Sequence, residues 1–226
     1  FYGCAITEFE IPATTTSIGR YAFYGCGSLT KLSFADGGKP LTFGEEAFAG
    51  CYSLKSVHIP ANVSEIPGVF SGCTTLTGIT IDEDNPYFES EDGVVFNKGR
   101  TEIVFFPMGK LGEYTLPTTV TSIASGVFSF VTGITKLTLP NTLTYIGDKA
   151  FSYSGIKEIV FSGSTYADEL YIGKGAFEST SKLETLSLPA HTKSIGDNAF
   201  TGSAIENLTL NEGLETIGSY AFSSTY

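Results

Sequence analysis

Apolar residues recur along the chain in a fixed order, with polar residues between them. Most copies carry an isoleucine, then Ala-Phe with the phenylalanine five positions later, as in Ile195 to Phe200. Phe43 takes the place of the isoleucine once, and Ile66 lies one residue closer to its phenylalanine. A run with apolar residues at its first, fourth and sixth positions follows. Its last two apolar positions are one residue apart, which is the period of a β-strand. The repeat phenylalanines, including two Val-Phe variants, are Phe23, Phe48, Phe70, Phe128, Phe151, Phe177, Phe200 and Phe222.

These phenylalanines follow one another at intervals of 22 to 26 residues, apart from one interval of 58. A period of this size predicts a solenoid, in which each repeat packs only on its neighbours. Stacking places equivalent strands side by side in a parallel sheet and equivalent side chains in ladders. We expect Ala-Phe to form a turn or a single helical turn on the opposite wall. The predicted fold is a β-rich α/β solenoid with short parallel strands, forming one domain over residues 1–226.

The long interval predicts a modified repeat with an inserted β-hairpin at about 82–117. Residues 94–96 and 103–106 are apolar and flank a polar Asn-Lys-Gly-Arg turn, as in a hairpin. The acidic residues of this stretch raise the question of a calcium site, but their order does not match an EF-hand. A solvated turn is the preferred interpretation. These acidic residues are Asp82, Glu83, Asp84, Glu89, Glu91 and Asp92.

The four cysteines occupy one repeat position, three residues after a repeat phenylalanine, at Cys4, Cys26, Cys51 and Cys73. Later repeats place valine, serine or threonine there, which indicates a small buried niche. Neighbouring sulfurs would lie roughly 4.7–4.9 Å apart with parallel side chains, whereas a disulfide needs Cβ atoms roughly 3.8 Å apart. We favour four free thiols, with a disulfide or a metal site as the alternative, although no CxxC pair supports zinc.

Composition limits the classes of partner and activity. The formal net charge of −11 argues against nucleic acid or an anionic membrane as a partner, since both need clustered positive charge. No apolar stretch approaches the roughly 18 residues of a membrane-spanning helix. His58 and His191 lie about six repeats apart, and no phosphate loop, nucleophile elbow or zinc-protease motif is present. We therefore expect no enzymatic activity, no cofactor and no metal.

Within each predicted strand, the residue between the last two apolar positions should point outward on the sheet face, with the residue two positions earlier beside it. This face is mostly small and polar. We consider it a candidate binding surface, with an ordinary solvated face as the alternative, in which case contacts would lie on loops. The candidate residues are Lys31, Ser33, His58, Thr80, Lys136, Thr138, Glu158, Val160, Ser187, Asn207 and Thr209.

The motifs resemble the BspA-like class of leucine-rich repeat found in bacterial surface proteins. The Leu-x-x-Leu-x-Leu-Pro pattern, with valine and isoleucine in its later places, stands at 54–60, and Ile-Gly-x-x-Ala-Phe-x-x-Cys stands at 18–26. The family's variant repeat, Asn-Pro-x-Phe and Asp-Gly-Val-x-Phe-Asn, is matched at 85–88 and 92–97. The resemblance covers essentially the whole chain. It implies a right-handed superhelix, export to the cell surface or beyond, and protein binding or adhesion, and it transfers no catalytic residue.

We therefore expect a cell-surface or secreted adhesion module whose partner is a protein, such as a host-matrix or cell-surface protein. Nucleic-acid binding and membrane insertion are not expected. The main alternative is a structural spacer that presents another domain, and a more distant one is a targeting domain attached to an enzyme. Because the chain begins and ends inside a repeat, we expect a fragment of a longer array.

Overall fold

A computed structural model describes residues 1–35, 37–66, 68–167 and 169–225. The chain divides into two compact units. Unit 1 contains residues 1–99 and 104–110, and unit 2 contains residues 100–103 and 111–226. Each unit is a β-solenoid, and the two together contain about nine coils.

Unit 1 is built from parallel strands of two kinds. Strands of the leucine-type runs form what we call the leucine ladder, in which β1 pairs with β3 and β5 with β6. Shorter strands, which end at the residue five positions before the phenylalanine, form the isoleucine ladder, in which β2 pairs with β4. The strands are β1 (Glu8–Ile11), β2 (Ser17–Ile18), β3 (Lys31–Phe34), β4 (Thr42–Phe43), β5 (Ser56–Ile59), β6 (Gly78–Ile81), β7 (Phe88–Glu91) and β8 (Val94–Asn97).

The irregular segment contains a strand that the sequence analysis did not predict. β7 pairs with β8 in an antiparallel hairpin, and β8 lies between β7 and β9 (Glu102–Phe105) in the sheet. Asn85 anchors the hairpin because its buried amide donates to the carbonyls of Pro60 and Val63, at 3.1 and 3.0 Å. In the acidic stretch, Lys98 Nζ donates to the carbonyls of Glu83 and Asn85, and Asp92 forms an ion pair with Lys110 at 2.7 Å.

Unit 2 repeats the same plan. Its leucine ladder contains β10-β12-β14 and, separately, β16-β18. Its isoleucine ladder runs in the order β11-β13-β15-β17-β19, and residues 102 and 103 of β9 pair with β11. The strands are β10 (Gly112–Thr115), β11 (Ser122–Ile123), β12 (Ile134–Pro140), β13 (Tyr145–Ile146), β14 (Glu158–Ser162), β15 (Leu170–Ile172), β16 (Thr185–Ser187), β17 (Thr192–Ile195), β18 (Asn207–Thr209) and β19 (Thr216–Ile217).

The repeat phenylalanines form the predicted ladders inside each unit. In unit 1, the rings of Phe23 and Phe48 are stacked with centroids 4.8 Å apart. In unit 2, Phe151, Phe177 and Phe200 are stacked at 4.9 and 5.0 Å. The side chains of these three and of Phe48 are fully buried. Because each ring contacts the ring of the next coil, the core is built coil by coil, as predicted.

The Ala-Phe segments are hydrogen-bonded turns, and no helix occurs among the described residues. The helical-turn alternative, and with it the α/β description, is therefore not supported, whereas the parallel solenoid is confirmed. The physical reason is the backbone conformation: the residues two before and two after each repeat phenylalanine have φ between 54° and 75°. A left-handed residue on each side of the phenylalanine interrupts a right-handed helix. The handedness of the superhelix stays a prediction.

Successive turns are joined along this wall by backbone hydrogen bonds that all run in one direction. The N–H of a repeat phenylalanine donates to the residue before the next repeat phenylalanine, as from Phe177 to the Ala199 carbonyl at 2.6 Å. This bond is made by Phe23, Phe48, Phe128, Phe151, Phe177 and Phe200. The Ile-Gly step allows this close approach, since a Cβ at Gly147 would lie 2.6 Å from the nitrogen of Ser125. A side chain there would force the coils apart.

The cysteines occupy the small buried niche that the sequence predicts. All four are free thiols, and Cys26, Cys51 and Cys73 are buried. Each buried thiol donates to the carbonyl of a phenylalanine in the preceding coil, from Cys26 to Phe1 at 3.0 Å and from Cys73 to Phe48 at 3.2 Å. Burial raises the pKa of Cys26, and the hydrogen bond with Cys73, followed by burial, raises the pKa of Cys51.

We expect Phe200→Ala to lower the free energy of unfolding by about 3–5 kcal/mol, because it removes a fully buried ring from the middle of the stack. The measurement is urea unfolding followed by circular dichroism. Leu111, which is 79% exposed, provides the control, since Leu111→Ala should change the free energy by less than about 0.5 kcal/mol. An unchanged unfolding midpoint in Phe200→Ala would contradict the stacked core.

We expect iodoacetamide to modify Cys4 first in the folded protein and to leave Cys26, Cys51 and Cys73 unmodified, because burial keeps the reagent away from their sulfur atoms. Peptide mass spectrometry after a short exposure checks this. All four should react in denaturant, which controls for reagent quality. Rapid modification of Cys51 in the native protein would show that the niche is open.

Candidate protein-interaction surface

All eleven residues of the predicted strand face lie on leucine-ladder strands and have exposed or half-buried side chains. The two units carry them separately. Lys31, Ser33, His58 and Thr80 lie in unit 1, and Lys136, Thr138, Glu158, Val160, Ser187, Asn207 and Thr209 lie in unit 2. Whether these residues bind a partner stays a prediction.

On unit 1 the polar groups of the strand face contact one another. Lys31 lies 3.9 Å from the carboxylate of Glu8. His58 Nδ1 is 3.0 Å from Thr80 Oγ1, and its Nε2 is 3.8 Å from the carboxylate of Asp82. A hydroxyl, an imidazole and a carboxylate in series can activate a nucleophile where water is excluded. Here the side chains of His58 and Asp82 are 60% and 37% exposed, so the contacts join neighbouring strands in open solvent.

On unit 2 the strand face also carries a cross-strand ion pair. Lys136 on β12 lies 2.8 Å from Glu158 on β14. This hydrogen bond to Glu158 raises the pKa of Lys136. Thr138 lies opposite Val160, and Ser187 lies opposite Thr209. The charges of Lys136 and Glu158 therefore neutralise each other within the protein.

The leucine ladder of unit 2 is interrupted between β14 and β16. Equivalent residues of hydrogen-bonded neighbours are 22 or 23 apart, as from Ile134 to Ile156, but Ile156 and Leu183 are 27 apart. No backbone hydrogen bond joins β14 to β16 in the described part of the chain. The additional residues lie in the loop after β14, of which the structure describes residues 163–167 and 169. Unit 1 has the same interruption between β3 and β5, where Leu29 and Leu54 are 25 apart.

The interruption in unit 2 opens a groove of about 770 Å³. Ile159 and Leu188, which are mostly buried, line it together with charged residues of both signs, including Lys157 and Glu184. Its lining includes three residues of the predicted face, Glu158, Val160 and Ser187, and adds Tyr166 from the loop. The sequence analysis missed this groove, although the 26-residue interval from Phe151 to Phe177 signalled an insertion.

Parallel strand ladders, repeated turns and one phenylalanine per coil define a leucine-rich-repeat solenoid. The family model for the BspA type leucine rich repeat region matches the sequence at residues 1–98 and 101–226, in six copies. The chain therefore belongs to this family, and the resemblance seen in the sequence is confirmed. No curated protein gives a significant match.

Solved structures from bacteria share the fold. The pneumococcal vaccine antigen PcpA is similar with a TM-score of 0.80 and 27% identity, over 98% of this chain and 56% of the antigen. A leucine rich cell surface protein from Faecalibacterium prausnitzii A2-165 has a TM-score of 0.50 and 20% identity, over 98% of this chain and 83% of that protein. This chain thus spans little more than half the length of the antigen. Among the described residues no helix is long and apolar enough to cross a membrane.

Proposed function

We propose that this chain is a non-catalytic protein-binding module of a secreted or cell-surface bacterial protein, and that its strand face receives the partner. The family and the two similar structures support an interaction module. The observation that carries the proposal is the groove between β14 and β16, which offers an apolar floor within a mostly polar face. Interfaces commonly combine an apolar centre with a polar rim.

Backbone groups add to the binding capacity of the groove. The Ser162 carbonyl at the end of β14 accepts from the Asn141 N–H and so points toward β12. Since successive residues of a strand direct their backbone groups to opposite sides, those of Glu158 and Val160 also face β12, and those of Ile159 and Phe161 face the groove. Unpaired strand edges of this kind can hydrogen bond an incoming chain. The groove therefore combines apolar contact with backbone donors and acceptors.

We expect Ser187→Arg and Val160→Arg to weaken capture of a protein partner at least about tenfold, because each places a long charged side chain in the groove. The measurement is saturation binding of the purified chain to a panel of purified extracellular-matrix proteins, repeated at raised salt to remove weak electrostatic attraction. Thr216→Arg on β19, an exposed residue of the isoleucine ladder, is the matched control. All three variants should keep the wild-type unfolding midpoint.

Two outcomes would count against this proposal. If the wild-type chain binds no protein of the panel, the spacer function gains support. If binding occurs but neither groove variant weakens it, the partner binds elsewhere on the chain, and the strand face is an ordinary solvated surface.

A further inference from the structure

A second cavity lies on unit 2 beside the same loop, next to the isoleucine ladder. It has a volume of about 680 Å³, within the range of ligand-binding pockets. Its lining includes Thr121, Thr142 and Thr144 near the starts of β11 and β13, together with Tyr166, Glu169 and Tyr171. None of these residues belongs to the predicted strand face.

The polar groups of this cavity act as hydrogen-bond acceptors, because their own protons are already engaged. Thr121 Oγ1 donates to the Thr101 carbonyl at 3.2 Å, Thr142 Oγ1 to the Val120 carbonyl at 2.8 Å, and Thr144 Oγ1 to the Thr121 carbonyl at 3.0 Å. The Tyr171 hydroxyl donates to the carboxylate of Glu169. Each hydroxyl oxygen retains acceptor capacity, so the cavity favours a ligand rich in donors.

Aromatic rings supply the second feature of the cavity. Tyr166 is 63% exposed and Tyr171 is 43% exposed. Tyr145, at 41% exposed, lies beside Tyr171 on the adjacent strand β13. The face of a tyrosine ring attracts cations, and the planar guanidinium of arginine can also stack on it.

The surrounding charge is negative. The hydrogen bond to Glu169 raises the pKa of Tyr171, while burial and then Asp148 raise the pKa of Tyr145. Lys193 interacts electrostatically with Tyr171 and Glu169, and it forms an ion pair with Glu215 at 2.8 Å. One ammonium thus faces two carboxylates, Glu169 and Glu215, which leaves a net negative charge beside Tyr171, and the whole chain carries a net charge of −11. An anionic ligand is disfavoured here.

We propose that this cavity receives an arginine side chain of the partner protein, an inference that rests on the proposed function. The guanidinium stacks on the exposed tyrosine rings, donates to the threonine oxygens and pairs with Glu169. Five donors on a planar group match an acceptor-lined, aromatic cavity better than the compact ammonium of lysine does. The cavity thus adds a charge-selective anchor near the groove, with which it shares Tyr166.

The test is an NMR titration of the chain, with ¹³C-labelled tyrosine, by N-acetyl-arginine amide. Saturable shifts of the Tyr166 and Tyr171 ring signals are expected. Glu169→Gln should weaken the apparent affinity at least about fivefold, and Glu169→Lys should abolish the shifts, because its ammonium repels the guanidinium. Glu212→Gln, at another exposed carboxylate, should leave the titration unchanged.

Two further probes separate arginine from other donor-rich ligands. N-acetyl-lysine amide should bind more weakly, and equal binding would overturn the choice of a guanidinium. A neutral disaccharide should not shift these signals, and if it did so while the arginine amide did not, the cavity would be a sugar site.

If the arginine shifts are absent but the groove variants weaken matrix-protein capture, this inference fails while the proposed function stands. If the arginine shifts appear but no matrix protein binds, the cavity binds a guanidinium and the proposed function fails.

Discussion

The stacking of one coil on the next along the phenylalanine wall is the constraint on which the rest of each unit depends. A buried ring contacts the ring of the following coil, and the backbone N–H of the same phenylalanine donates to that coil. Apolar burial and hydrogen bonding therefore fix the same register. Because a parallel ladder has no tight turn to set its register, this wall performs that role for the strands.

A fixed wall determines where additional residues can be placed. Phe151 and Phe177 are 26 residues apart, yet their rings are stacked at 4.9 Å, and β13 and β15 still pair on the isoleucine ladder. The extra length is therefore accommodated beyond β14, where the leucine ladder is interrupted. The groove and the second cavity both border the resulting loop and share Tyr166. Both candidate binding features are thus consequences of one insertion.

On the strand face, charged residues of neighbouring coils pair with each other. Lys31 faces Glu8, and Lys136 faces Glu158, so neighbouring coils neutralise each other's charges. Exposed pairs of this kind contribute little to stability, but they neutralise these four charges within the protein. Under the proposed function, specific binding depends on sites where the repetition fails, which is where the apolar floor of the groove and the negative charge near Glu169 are found.

The sequence by itself determined the coil: the strand of each leucine-type run, the phenylalanine stack and the small niche of the cysteines all follow from a local, periodic pattern. It did not show the isoleucine ladder, because strands such as Ser17–Ile18 are too short to display alternation, nor β7 in the irregular segment. It placed Glu158, Val160 and Ser187 on the correct face but could not join them in a groove. Only the tertiary structure showed that these residues line one groove. The reason is that extra residues are accommodated away from the wall whose stacking and hydrogen bonds fix the register of the coils. The acceptor character of the second cavity likewise depends on carbonyls about one coil away, such as Thr121 for Thr144, and no local pattern records those contacts.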